Sequence, residues 1–448
     1  MLKELLLPEI QELIEAKDWR TLKEAIADWP APDIADLLES LHEADRVILF
    51  RLLPRQRAAE VFAEFEPDKQ RQLLERLTNE QVKMLLEEVS PDDRTELFEE
   101  LPGKVTQQLL NLLSPADRRE ALQLLGYPEE SVGRLMTPDY VAICSHWSIE
   151  QAINHIRRYG RDAETVNVIY VVDDDDHLLD DLPIRRIILA EPSQSVESIM
   201  DHKYVAVEAS ADQEEAIRLI QHYDLNALPV VDKENVLLGI VTVDDVLDVL
   251  QEEVTEDVHK GASIAPLETS YNAASFWSLY RKRVGWLSLL AVAGFLSSTV
   301  IAMYEETLAK IVALAFFIPV LIDSGGNTGS QSATLIIRAL ALGELTPKRW
   351  FQVVRKELLV GLLLGATLGL ILFVWGEYWK GGAQVGVVVG LSMVCIIFIS
   401  NLLGSLLPIV MTKLRLDPAV VSGPLITTLI DALGLVIYFT VAKWVIRF

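Results

Sequence analysis

Apolar and polar positions divide this chain of 448 residues into three stretches with different periods. Up to about residue 128, apolar residues recur at helical spacing in short runs separated by Pro54, Pro67, Pro91, Pro102 and Pro115. The gaps of 13, 24, 11 and 13 residues predict helices of roughly a dozen residues, with one proline missing near Thr78. Ser90-Pro91-Asp92-Asp93 and Ser114-Pro115-Ala116-Asp117 read as helix starts: Ser caps, Pro fits the first turn and the acid faces the helix dipole. Stacked, such helices make a small all-α superhelical domain over residues 1–128.

Between about Ser131 and Leu250 one pattern occurs twice. Met136-Thr-Pro-Asp-Tyr-Val-Ala-Ile143 matches Met200-Asp-His-Lys-Tyr-Val-Ala-Val207, and Tyr170-Val-Val-Asp173 matches Pro229-Val-Val-Asp232. An amphipathic helix and short β-branched runs lie between the marks, which predicts a tandem α/β duplication of βαββα units over 129–251. A helix starting near Asp244 is expected to run on through Glu252, Glu253, Glu256 and Asp257, making residues 252–280 a connecting (plug) helix.

The last stretch, 281–448, carries five apolar runs of transmembrane length, near 284–304, 311–337, 355–377, 385–411 and 420–445. Arg281, Lys282 and Arg283 precede the first run. Arg338, Lys348, Arg349, Arg355 and Lys356 follow the second, and Lys413 and Arg415 follow the fourth. The alternate loops hold Glu305, Glu306 and Lys310, then Glu377 and Lys380. This bias puts the N-terminal part in the cytosol and the C-terminus outside a cell (inner) membrane. The start, Met1 to Trp19, is amphipathic and acidic and lacks the pattern of a signal peptide, in keeping with a cytosolic N-terminal part.

Charge divides at the same border. Residues 276–448 hold 14 Lys+Arg and 8 Asp+Glu, a net +6; with −25 overall, residues 1–275 carry −31. Such a surface repels nucleic acid, and it repels itself unless cations neutralise it. The two cysteines, Cys144 and Cys395, lie in different regions, so no disulfide framework or CxxC metal site is available. All seven histidines (His42, His146, His155, His177, His202, His222 and His259) precede the apolar runs and read as ordinary surface or partly buried residues. With no His on a span, a zinc intramembrane protease lacks its HExxH ligands.

Two runs carry the candidate chemistry. In the second, Asp323, Asn327, Gln331 and Thr334 follow i, i+4, i+8 and i+11, one polar stripe on a helix rich in glycine. In the fifth, Gly423, Thr427, Asp431, Gly434 and Tyr438 form another, and Pro424 is expected to leave the Val420 carbonyl without a donor. Asp431 lies near mid-span, where an ionised carboxylate costs about 2.5–3.5 kcal/mol. No Lys or Arg lies mid-span to pair with it, so a proton or a passing cation must neutralise it.

The tandem repeat resembles a pair of CBS domains, modules that bind nucleotides or ions. The first copy departs from the pattern at Asp180-Asp181-Leu182-Pro183-Ile184-Arg185-Arg186. Arg186 stands where an Asp would hold a ribose, which argues against nucleotide binding there. Pro319–Thr334, with its Gly-Gly-Asn-Thr-Gly-Ser-Gln-Ser-Ala-Thr core, and Asp417-Pro-Ala-Val-Val-Ser-Gly-Pro through Gly434 resemble the MgtE family of magnesium channels. The resemblance covers essentially the whole chain. It implies a homodimer in the lipid bilayer, with a pore on its two-fold axis lined by spans two and five. Asp431 would coordinate hydrated Mg²⁺ from both subunits. The regulatory Mg²⁺ ligands it implies are Glu60, Asp92, Glu214, Asp224, Asp245, Asp248, Glu253, Glu256 and Asp257, with Asp417 at the membrane face. Pore-lining positions would be Asp323, Asn327, Gln331, Gly423 and Thr427; Gly423 replaces an Asn and Thr427 an Ala found in some members. The expected activity is a Mg²⁺-gated Mg²⁺ channel and not an enzyme. The alternatives are transport of another divalent ion such as Co²⁺ or Mn²⁺, or a membrane Mg²⁺ sensor that does not conduct.

Overall fold

The computed structural model describes residues 2–267, 271, 274–341, 344–345 and 350–446, with the side chains of 2–8, 380 and 381 excepted. Lys348, Arg349 and the side chain of Lys380, three of the loop charges, lie outside the described residues. The chain forms two compact units, residues 1–251 and 252–448.

The first unit opens with helices α1 (Leu2–Glu15), α2 (Trp19–Ile26), α3 (Ala31–Ser40), α4 (Glu43–Phe50), α5 (Arg55–Ala63), α6 (Pro67–Arg76), α7 (Asn79–Leu86), α8 (Pro91–Glu100), α9 (Gly103–Leu110) and α10 (Pro115–Leu124). Five of them start at or just after the five prolines. At the missing sixth, Thr78 forms a capping box with Gln81 and starts α7 without a proline. Ser114 caps α10 through the Asp117 amide, but Ser90 does not cap α8; its hydroxyl donates to Asp93 Oδ2 at 2.6 Å instead. Helices of eight residues do not persist alone. These are held by a continuous core that includes Leu22, Leu37, Leu49, Phe62 and Leu86.

Next come α11 (Val132–Leu135) and two βαββα repeats: β1 (Ala142–Cys144), α12 (Ile149–Tyr159), β2 (Val168–Val172), β3 (Leu178–Pro183) and α13 (Ile184–Leu189), then β4 (Val207–Glu208), α14 (Gln213–Tyr223), β5 (Ala227–Val231), β6 (Leu237–Thr242) and α15 (Val243–Gly261). In each sheet the first two strands are parallel and the last two antiparallel. The repeats exchange backbone bonds between Thr137 and Ile240 in both directions at 2.9 Å. Asp180 of β3 and Gly239 of β6 hold equivalent registers, opposite Val171 and Val230. A side chain at Gly239 would meet the Thr137 carbonyl at 2.7 Å. The buried Asp180 carboxylate instead accepts the amides of Asp201 and His202, at 2.8 and 3.0 Å, and fixes that turn. Arg186 is held there too, donating to Ile199 O and Asp201.

The helix expected to begin near Asp244 is α15, but it ends at Gly261 and does not continue over all of 252–280 as expected; the bend follows at Ser263, which has a left-handed φ of 59°. The second unit then holds α16 (Phe276–Met303), α17 (Glu305–Lys310), α18 (Ile318–Ala341), α19 (Trp350–Gly376), α20 (Gly382–Lys413) and α21 (Gly423–Ile446). Five segments are long and apolar enough to span a bilayer, at Phe276–Met303, Val312–Ala341, Trp350–Trp379, Gly382–Lys413 and Gly423–Ile446. The most buried is α20, packed among α18, α19 and α21, whereas α16 buries no residue.

Candidate ion pathway and acidic clusters

Glycines bring α18 and α21 into close contact. A methyl group on Gly326 would stand 2.8 Å from Thr427 Cγ2, and one on Gly325 3.0 Å from Ile430 Cγ2. Ser330 Oγ donates to the Gly423 carbonyl at 3.2 Å. Gly423 and Thr427 therefore face α18. The stripe Asp323, Asn327, Gln331 and Thr334 points away from this packing and is exposed along its whole length. Asn327 Nδ2 donates to Asp323 Oδ2 at 3.1 Å. Asp431, one turn beyond Thr427, is half-buried. Its Oδ1 is buried without a hydrogen-bond partner, and the Asp323 carboxylate is the charged group that acts on it. Asp323 and Asp431 thus belong to one electronegative region. Pro424 corrects a detail. It lies in the first turn of α21, where no amide is needed, and the Val420 carbonyl accepts the Ser422 amide at 2.8 Å, so that oxygen is not free.

A second constellation joins the end of α15 to the start of α21. Asp417 caps the turn Pro418–Val420 through the Ala419 amide at 2.7 Å. Lys260 Nζ donates to Asp417 Oδ2 at 2.7 Å and also pairs with Glu256. Burial, then Asp417, pushes the Asp257 carboxyl up, while Lys260 draws it down. The hydroxyls of Ser263 and Ser422 meet at 2.6 Å, buried. Three of the expected ligands, Glu256, Asp257 and Asp417, are therefore together, and the cation among them is a protein ammonium.

The third group lies in the first unit, where α8 and the start of α15 bring carboxylates together. Asp92 is buried, its Oδ1 without a partner. Burial, followed by Asp245 and Asp93, pushes its carboxyl well above the usual range. Burial also holds Asp245 up to about 7, against the lowering effect of the Thr242 hydroxyl, which donates to it at 2.6 Å. Asp93, Asp248, Glu64 and Glu164 are raised as well, by burial first and then by neighbouring acids. The largest charged influences on Asp92, Asp93, Asp245 and Asp248 are other carboxylates, so this cluster is short of positive charge.

The remaining expected ligands are dispersed. Glu60 is exposed and pairs with Arg57 at 2.6 Å. Glu214 and Asp224 are both exposed, one in the first turn of α14 and the other its left-handed C-cap. A rise of 1.5 Å per residue sets them about 15 Å apart, so within one chain they cannot share an ion. Glu253 is half-buried on α15.

The sequence matches three family descriptions in order. Residues 29–130 match the MgtE intracellular N domain, 132–192 and 196–252 match CBS domains, and 318–441 match the MgtE divalent cation transporter domain. Over 99% of both chains it is 42% identical to the magnesium transporter MgtE of Thermus thermophilus. The chain belongs to the MgtE family. It is also 39% identical to the magnesium transporter MgtE of Bacillus subtilis, over 72% of this chain and 71% of that one. A crystal structure of the cytosolic domain of the Mg²⁺ channel MgtE in complex with ATP superposes with a TM-score of 0.52 at 39% identity, covering 54% of this chain and 98% of that one. This MgtE-family member is therefore a membrane transporter with an intracellular N domain.

Two features of this MgtE chain were not singled out from its sequence. Lys260 is one, because a lone Lys in an acidic helix reads as solvated. The other is Glu357 on α19, which accepts from Ser332 Oγ at 3.0 Å and Asn401 Nδ2 at 2.9 Å. Asn401 also donates to the Glu357 backbone carbonyl. An acid within an apolar run was the available signal; flanked by Arg355 and Lys356, it passed as part of a charged loop.

Proposed function

We propose that this protein is a channel for Mg²⁺ uptake that Mg²⁺ itself closes from the cytosolic side. One observation carries the proposal. Among the described residues, the buried side-chain carboxylate oxygens without a hydrogen-bond partner are Asp92 Oδ1 and Asp431 Oδ1. Both belong to the expected cation ligands. A buried unpartnered carboxylate is costly, and a cation removes the cost.

For conduction, the exposed stripe of α18 beside Asp431 supports a pore shared by two copies, since lipid would not solvate Asp323, Asn327 and Gln331. We place the two-fold axis along this face, with Asp431, Asp323, Asn327, Gln331, Gly423 and Thr427 contributing. The lining offers oxygen and amide groups, which suit a hard ion that keeps its water. For gating, the acids around Asp92 and Asp245, and those around Asp417, repel one another when bare. Cations bridging them would favour a compact, closed arrangement, and several weak sites together make a decisive switch. We assign Glu60, Glu214, Asp224, Asp248 and Glu253 to further bridging contacts, some of them between subunits. The C-terminus lies outside.

The test is Mg²⁺ flux into liposomes holding the purified protein. Wild type conducts, Asp431→Ala loses Mg²⁺ flux or its selectivity, and an unchanged Asp431→Ala sinks the pathway. Equal flux of Co²⁺ or Mn²⁺ would favour the broader reading of a divalent cation transporter. For nucleotide binding, the neighbour's ATP complex invites a titration, but Arg186 is already engaged by Asp201. We therefore assign no nucleotide to the α13 end of the first repeat.

A further inference from the structure

We propose that Cys144, His146 and Asp174 form a binding site for a borderline transition ion, Zn²⁺ by its chemistry, in the first CBS repeat. The site is separate from the oxygen-lined Mg²⁺ positions. It is built by strand register. β1 and β2 run parallel with Cys144 opposite Val172, so the chain leaving β1 through Ser145 and His146 emerges beside the chain leaving β2 through Asp173 and Asp174. The Cys144 sulfur, a His146 ring nitrogen and an Asp174 carboxylate oxygen all lie within 4.8 Å of one another. Cys144 is half-buried; His146 and Asp174 are exposed.

Both turns are pinned by other groups. Trp147 N donates to Cys144 O at 3.1 Å. Asp173 accepts the amides of Asp175 and His177 and meets the His177 ring at 3.0 Å, so it is committed to its own turn. No hydrogen bond or ion pair engages the side chains of Cys144, His146 or Asp174 among the described residues; the His146 ring only stands edge-on to Trp147, 6.5 Å away. Three ligand types thus converge without bonding one another, in a field made more negative by Asp176.

Zn²⁺ binds thiolate at about 2.3 Å and imidazole or carboxylate at about 2.0–2.2 Å, which puts tetrahedral ligand atoms about 3.5 Å apart. The observed spacing of up to 4.8 Å leaves roughly 1 Å to close, and two of the three ligands are exposed side chains. Three protein ligands leave the fourth position to water. A set of sulfur, nitrogen and oxygen favours Zn²⁺ or Co²⁺ over Mg²⁺, which prefers oxygen and its own hydration shell. On binding, the thiol proton leaves to solvent and the sulfur–metal bond forms, with no change of oxidation state.

Co²⁺ is the probe, added to the detergent-solubilised full chain in excess Mg²⁺. The expected result is a thiolate-to-cobalt charge-transfer band that saturates near one equivalent per chain and is abolished by Zn²⁺. Cys144→Ser should remove the band, and His146→Ala should weaken Co²⁺ binding at least about tenfold, with circular dichroism unchanged. No band in the wild type, or a band that survives Cys144→Ser with Cys395 intact, overturns the site. If Cys144→Ser fails to fold, His146→Ala and Asp174→Asn decide, and unchanged Co²⁺ affinity in both overturns it equally.

Discussion

The ammonium of Lys260 stands 2.7 Å from the carboxylate of Asp417, so residues 157 positions apart in sequence hold the end of α15 against the start of α21. Lys260 also pairs with Glu256, and Asp257 lies within their field. A protein cation therefore occupies the centre of a cluster in which the family resemblance implies Mg²⁺. Lysine and a divalent ion compete for the same oxygens. Lys260→Gln should leave the three acids less neutralised and raise their affinity for Mg²⁺. One partly exposed ion pair is worth about 1 kcal/mol, so under the proposed gating the Mg²⁺ midpoint for channel closure should fall by roughly fivefold. Single-channel recording against cytosolic Mg²⁺ measures it; an unchanged midpoint means that Lys260 and Mg²⁺ do not compete.

The acids around Asp92 predict a pH dependence of defined sign. Burial keeps Asp245 up to about 7 and Asp92 well above an ordinary carboxylate. The folded state therefore holds protons that the unfolded chain has released. Stability from this source is fully present below about pH 4 and is lost as pH rises through about 7. In Mg²⁺-free buffer, thermal unfolding of the soluble part should occur at a lower temperature at pH 7.5 than at about pH 5. Millimolar Mg²⁺ should reduce the difference, and so should Asp245→Asn. A melting temperature that rises over this interval contradicts the assignment.

Glu357 ties three membrane helices through Ser332 and Asn401. Glu357→Ala would remove the carboxylate that both donors share, leaving Ser332 with the Asn401 carbonyl at 3.3 Å and Asn401 with the backbone carbonyl of residue 357, so the loss should be that of hydrogen bonds to a charged acceptor, about 1.5–3 kcal/mol. Glu357→Gln keeps an acceptor oxygen and should retain most of the stability. The detergent-solubilised melting temperatures of the two variants decide, and equal values would mean that the contact is dispensable.

Gly326→Ala should strain the contact between α18 and α21, because the added methyl would meet Thr427 Cγ2 at 2.8 Å. Overpacking of this kind costs about 1–3 kcal/mol. Thr427→Ala removes the opposing methyl, so the double variant should recover part of the loss. Additive losses in the double-mutant cycle would place the two residues out of contact.

The order of domains, the five spans and the tandem repeat were legible because each rests on a local period. Helical spacing marked the N-terminal helices, repetition marked the βαββα units and run length marked the spans. Proline positions even located the helix starts, and Thr78 supplied the missing one through a capping box. Asp431 was legible for a related reason, since an acid inside an apolar run needs a partner that the run itself does not contain.

What the sequence did not determine depends on which groups meet across long separations. Charge count identified an acidic soluble part, but only packing buried Asp92 and drew Asp245 to it, while leaving Glu60 paired with Arg57 and setting Glu214 and Asp224 at opposite ends of one helix. Cys144 and His146 looked unconnected to any metal chemistry until parallel strand register brought Asp174 beside them. The same holds for Lys260 and Asp417, whose pairing is absent from any local pattern: hydrophobic periodicity reports which face of an element is buried, not which charged group on another element neutralises it. That second decision belongs to the tertiary fold, because burial sets the energy of a carboxylate and distance selects its partner.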